Sequence, residues 1–220
     1  MQQSYQQYLT MTTLNKLHNR LIEISYNHKL SHLSSCITSL PIIFNIYNTK
    51  QLSDKFILSN GHAGLALYVV LEHFHGVNAE MLLEKHGVHP CLDKENFIDC
   101  STGSLGLGLP VAVGYAMANS NRQVHCLISD GESFEGSVWE SLNFIHNKKI
   151  NNIYVHVNVN GFSAYDEVDE DNLCDKLKVF LPTINIHHTN LKSYPFLDDK
   201  HLEAHYYVLR SEEEKNKLLL

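Results

Sequence analysis

The sequence predicts an α/β domain with a doubly wound, mostly parallel sheet and helices on both faces, and three observations carry that reading. Two short apolar runs, VHCLI at 124–128 and IYVHVNV at 153–159, have the length and β-branched content of buried strands. Between them Phe134, Val138, Trp139, Leu142 and Ile145 recur at three- and four-residue intervals, the spacing of a helix with one apolar face. A strand, a helix and a strand in this order form a crossover unit whose strands lie parallel.

The remaining elements follow in chain order. Leu14, Leu17, Leu21 and Ile24 define an opening amphipathic helix. After the turn-like SHLSS, the stretch 37–47 is apolar enough for a buried second helix, with Pro41 in its first turn or kinking it. Residues 56–58 are a short strand candidate, and 62–74 a helix behind it. Residues 105–118, rich in Gly and Ala, suit a helix packed closely against the sheet or a ligand. Beyond Gly161 the pattern is less regular, and the acidic run EVDED at 167–171 reads as a solvated loop. No repeat or low-complexity segment is present.

Composition narrows the class. With 220 residues, 44% of them hydrophobic, the chain can bury a substantial core as one large domain or two small ones. Cys36, Cys91, Cys100, Cys126 and Cys174 are scattered and odd in number, without a CxxC pair, which argues against a disulfide framework or a zinc site. The first residues, MQQSYQQYL, are polar and unlike a signal, and no apolar run approaches the roughly eighteen residues of a membrane span, so a cytoplasmic home is expected. A formal charge of −7 without a basic stripe makes nucleic acid a poor partner.

The chemistry sits at strand ends. Asp130 follows the first apolar run and Asn160 the second, and carboxyl ends of parallel strands open onto the crevice where ligands bind. Each offers a hard oxygen, and Mg2+ requires a few of these together with oxygens from a phosphate. Asp130 is expected to face solvent there.

The segment SDGESFEGSVWESLNFIHNKKINNIYVHVNVNG at 129–161 resembles the thiamine diphosphate motif of transketolases, which reads GDG, about thirty residues, then Asn. LSNGHAGLALY at 58–68, STGSLGLGLPVAVGYAMA at 101–118, DGESFEGSVWE at 130–140 and PFLDD followed by EAHYYVLRSEEE at 203–214 are similar to blocks of that family, in its order. The resemblance covers about residues 31–214. It implies a single thiamine diphosphate-binding domain over 1–220, shortened by roughly one strand–helix unit near 166–189, and the thiamine diphosphate-binding fold.

What the resemblance implies for the site is specific. Asp130, Asn160 and the backbone carbonyl of Phe162 would hold Mg2+, and the NH of Gly131 would face the diphosphate. His32, His62, His89 and His205 match family active-site histidines, while Gly103 and Leu105 match positions that let the cofactor lie close to backbone in a bent shape. Glu135 matches a family acid at the subunit interface. Taken alone these residues are ordinary: a histidine among fifteen is usually surface or core, Asp130 a helix cap, and Asn160-Gly161 a turn.

The pattern also departs from the family. Ser129 replaces the first glycine of GDG, Leu107 a usual glutamine, Asn158 a usual aspartate, and Ser31 and Val88 glycines before His32 and His89. The family builds each site between two domains, and the pyrimidine-binding one is expected to lie on a separate chain. The expectation is therefore the N-terminal subunit of a split transketolase that transfers a two-carbon ketol unit between a ketose and an aldose, with phosphorylated or activated sugars as the expected substrates. Its partner would be a separate pyrimidine-binding C-terminal subunit, in an α2β2 heterotetramer. The alternatives are part of a 1-deoxyxylulose-5-phosphate synthase-like enzyme, or a degenerate, non-catalytic binding subunit.

Overall fold

The structure, a computed structural model, describes residues 2–163 and 166–220, with side chains from Leu9 onward. Four strands, β1 (Lys55–Leu58), β2 (Val124–Ser129), β3 (Ile153–Val159) and β4 (Asn185–His188), form one sheet in the order β1-β2-β3-β4. Every neighbouring pair is parallel. Parallel strands need crossovers, and these coat both faces of the sheet.

One face carries α1 (Gln2–Asn27), α2 (Leu33–Thr49), α3 (Gly64–His75) and α4 (Ala79–His86). Leu17, Leu21 and Ile24 of α1 join α2 and α3 in a core that reaches Phe56, Leu58 and Leu127 on the sheet. The opposite face carries α5 (Gly108–Ala118), α6 (Gly136–Lys148) and α7 (Glu170–Phe180), packed on Ile57, Cys126, Ile128, Val155, Val157 and Val159. Odd and even strand residues thus serve separate cores, as the period-two pleat requires. The short helices α8 (Pro195–Asp198) and α9 (Glu212–Asn216) complete the chain.

Local differences from the sequence reading have physical causes. Helix α2 begins at Leu33, so Pro41 lies in its interior rather than its first turn, at the cost of one backbone donor. Phe134 is 67% exposed and belongs to a 3-10 turn at Asp130–Phe134, while Val138, Leu142 and Ile145 form the buried stripe of α6. Part of the acidic run is helical: Asp169 accepts from the Asn172 N–H and caps α7, with Glu170 and Asp171 in the first turn where the helix dipole favours them.

Candidate active site

The ends of β2 and β3 converge as the crossover requires. Asp130 Oδ2 accepts from the N–H groups of Asn160 (2.8 Å) and Gly161 (2.9 Å), and Oδ1 accepts from the Gly131 N–H (3.0 Å). The expectation that Asp130 faces solvent is corrected, because the residue is only 1% exposed. Three backbone donors replace its lost hydration, and burial nonetheless pushes its carboxyl up to about 6. Among the described residues no cation pairs with it. Asn160 folds its Oδ1 back onto the Phe162 N–H at 3.1 Å, a local turn that fixes the start of the next segment.

A cavity of about 720 Å³ opens above these strand ends. Asp130, Gly131, Asn160 and Phe162 line it together with Gly103, Leu105, His32, His62, His89 and His205. Residues separated by up to 173 positions thereby meet: His32 Nδ1 lies 3.1 Å from His205 Nε2, and the His62 ring centroid is 5.3 Å from each of theirs. His32 precedes α2 with φ +62, a left-handed conformation that is uncommon for a histidine and aims its ring at the cavity. Its N–H donates to the His205 carbonyl at 2.9 Å, which locks the two together. Burial and the neighbouring imidazoles hold His32 down to about 4 and His62 to about 3, and burial lowers His205. All three are neutral at pH 7, each with one N–H and one lone pair.

Close backbone approach shapes the floor. Gly103 has φ +153, and a Cβ there would stand 3.2 Å from the His89 ring. A Cβ on Gly61 would lie 2.8 Å from the Gly103 nitrogen. Two buried oxygens, Asn60 Oδ1 and Thr102 Oγ1, have no hydrogen-bond partner among the described residues, and Asn60 lines the cavity. Glu135 is exposed and outside the cavity lining, as is Leu107.

Sequence reasoning missed Glu132, which is fully buried. Its Oε1 accepts from Ser59 Oγ (2.6 Å) and the Gly106 N–H (2.8 Å), and its Oε2 from the Ser129 N–H (3.0 Å). One carboxylate thus braces the ends of β1 and β2 and the STGSLG loop. Burial pushes it up to about 7 against the pull of these bonds. The signal was present: Ser129 and Glu132 have the S-x-x-E spacing of a capping box. Asn158 was seen only as a departure from pattern, yet it ties three elements. It donates to Thr38 Oγ1 of α2 at 3.0 Å and accepts from Thr189 Oγ1 beyond β4 at 2.6 Å.

Fold and site together define an α/β domain with a crevice at the carboxyl ends of a parallel sheet, lined by a buried carboxylate, an amide and a cluster of imidazoles. Residues 45–181 match the profile of the transketolase thiamine diphosphate binding domain, more than half of the chain, and the chain belongs to that family. It is 32% identical over 168 residues to transketolase-like protein 2 of Homo sapiens, covering 67% of this chain and 27% of that protein. It is 31% identical over 177 residues to one of the subunits of the apulose-4-phosphate transketolase of Phocaeicola vulgatus, covering 70% of this chain and 62% of that protein. The crystal structure of Campylobacter jejuni transketolase superposes with a TM-score of 0.71 at 20% identity, over 95% of this chain and 41% of that one, a likeness of fold. The chain spans about a quarter of the length of the human relative it matches.

Proposed function

We propose that this chain is the N-terminal, diphosphate-binding subunit of a split thiamine diphosphate-dependent transketolase, which moves a two-carbon ketol unit from a ketose to an aldose. The observation that supports it best is the meeting of Asp130 and Asn160 at adjacent strand ends within a cavity ringed by four histidines. The relative from Phocaeicola vulgatus is by its name one subunit of a transketolase, and this chain covers 62% of it, against 27% of the human relative.

The donor set fits the cofactor. A buried carboxylate without a cation partner, an amide oxygen and a turn carbonyl are hard ligands suited to Mg2+, and the unpartnered Asn60 Oδ1 belongs to a residue that lines the cavity, a further acceptor. In this reading Asp130, Asn160 and the Phe162 carbonyl hold Mg2+, which neutralises the diphosphate. Bound thiamine diphosphate supplies the carbon nucleophile for the ketose carbonyl. The chain's own residues shape their half of the site. Gly61 lets the Gly103 backbone pack against it and Gly103 lets the His89 ring do so, which shapes the wall of the cavity on the Gly103 side, and Glu132 keeps that backbone in place. His32, His62, His89 and His205 line the same cavity, and imidazoles there would take protons from and return them to substrate hydroxyls.

A separate pyrimidine-binding subunit completes the site, in a cytoplasmic α2β2 assembly with two sites related by symmetry. Among the described residues no helix is long and apolar enough to cross a membrane. The test is titration of thiamine diphosphate into the mixed subunits with and without Mg2+. Tight binding that requires both the metal and the partner supports the proposal, and binding indifferent to Mg2+ contradicts it.

A further inference from the structure

We propose that His125 and His156, the latter oriented by His187, form a two-imidazole binding site for a divalent transition metal of the Zn2+ or Co2+ class, on the sheet face that carries α1–α4 and apart from the candidate cofactor cavity. None of the three lines that cavity. They stand on β2, β3 and β4 at equal sequence intervals, and strand register explains how they meet. His125 is opposite Tyr154 and His156 is opposite Asn185, so each histidine lies two residues beyond its neighbour's partner and on the same face. The imidazoles therefore climb the sheet diagonally.

Their nitrogens are within bonding reach: His125 Nδ1 to His156 Nε2 is 3.3 Å, and His156 Nδ1 to His187 Nε2 is 3.0 Å. The rings are stacked within 25° of parallel, and Tyr154 stacks on His125 at 5.0 Å. All three are half-buried, so they are held yet reachable from solvent. Burial lowers each of them, and the flanking imidazoles help to hold His156 down to about 3.

Two bonds of about 2.05 Å at a tetrahedral metal place their nitrogens roughly 3.3 Å apart, the separation between His125 and His156. Without metal, one proton bridges each junction. On metal binding His125 moves its N–H from Nδ1 to Nε2, and the ion takes the place of the bridging proton between His125 Nδ1 and His156 Nε2. His156 Nδ1–H still donates to His187 Nε2, which fixes the tautomer and ring plane of the ligand in the way outer partners of metal-bound histidines do. Imidazole pairs select Zn2+, Co2+, Ni2+ or Cu2+ over Mg2+, which prefers oxygen. Among the described residues no group of three or more His, Cys, Asp or Glu is placed to hold a metal, so water supplies the remaining positions.

The test is a Co2+ titration of the full chain with millimolar Mg2+ present, read by visible absorption, with circular dichroism reporting the fold. We expect one Co2+ per chain with the shifted visible absorption of imidazole-ligated cobalt, distinct from that of the free aqua ion. His156→Ala and His125→Asn each abolish it, and His187→Ala weakens binding about tenfold. The double variant of His32→Ala and His205→Ala, which empties the other close imidazole pair, keeps the signal. Absence of such a spectrum at millimolar Co2+, an unchanged titration in folded His125→Asn, or loss only in the His32/His205 variant would each overturn the proposal.

Discussion

Glu132 offers the sharpest test of how the site is built. Replacing it with Ala removes a carboxylate that is fully buried and leaves the Gly106 and Ser129 N–H groups and the Ser59 hydroxyl without their acceptor. A buried donor left unpaired costs about 1–3 kcal/mol, and the two backbone groups cannot turn to water. Ser59 can rotate, so it adds little. Removing a buried charge offsets part of the loss, since burial already pushes Glu132 up to about 7. The net destabilisation is on the order of 3 kcal/mol, to be read by urea unfolding at pH 8. Glu132→Gln keeps shape and one acceptor oxygen, and it should lose roughly half as much. Cofactor affinity of the folded Ala variant should fall as well, because the STGSLG loop loses its tie to β2. A loss under about 0.5 kcal/mol with unchanged affinity would refute the bracing role.

Three further outcomes are expected. Asp130→Ala should abolish Mg2+-dependent cofactor binding and, because it strips acceptors from the Asn160 and Gly161 N–H groups, cost about 2–4 kcal/mol in unfolding free energy; wild-type affinity in the reconstituted variant would rule out this metal site. His62→Ala should lower turnover of the reconstituted complex by about a hundredfold while changing stability by no more than about 1 kcal/mol, and the opposite pattern, a falling Tm with turnover per folded molecule unchanged, would make it a core residue. Acid should destabilise the fold: His32, His62 and His156 have folded values lowered to about 4, 3 and 3, so the stability they support is present above about pH 6.5 and is lost as pH falls toward those values. Asp130 and Glu132, raised by burial, act in the opposite sense and soften stability as pH rises through about 6 and 7. Equal shifts of the urea midpoint between pH 7 and pH 5 in the wild type and in His62→Ala would contradict the histidine assignment.

Much of this architecture is legible in the residues, for reasons that also mark where legibility stops. The β2–α6–β3 unit could be read because its strands are continuous apolar runs and Val138, Leu142 and Ile145 keep a helical period; both properties are local. Convergence of Asp130 and Asn160 followed from the handedness of the crossover alone. The burial of Asp130 did not, because it depends on segments far along the chain: Ser35 and Thr38 of α2 and Thr189 beyond β4 line the cavity over the strand ends. Glu132 was hidden for a similar reason: its partners Ser59 and Gly106 come from segments 73 and 26 residues away. The start of α2 at Leu33 was masked by polar Ser34, Ser35 and Thr38, which are half-buried or buried in the structure and hydrogen-bonded there through Ser34 and Thr38. The histidine ladder required strand register, which no single strand's pattern contains.

The central claim is that this chain forms half of a catalytic site. Its most direct test is ketol transfer measured on the purified chain, on its purified pyrimidine-binding partner and on their mixture, with thiamine diphosphate and Mg2+ in excess. Neither protein should turn over by itself, and activity should rise with added partner and saturate at one to one. Substantial transfer by the isolated chain, with contaminating transketolase excluded, would contradict the claim.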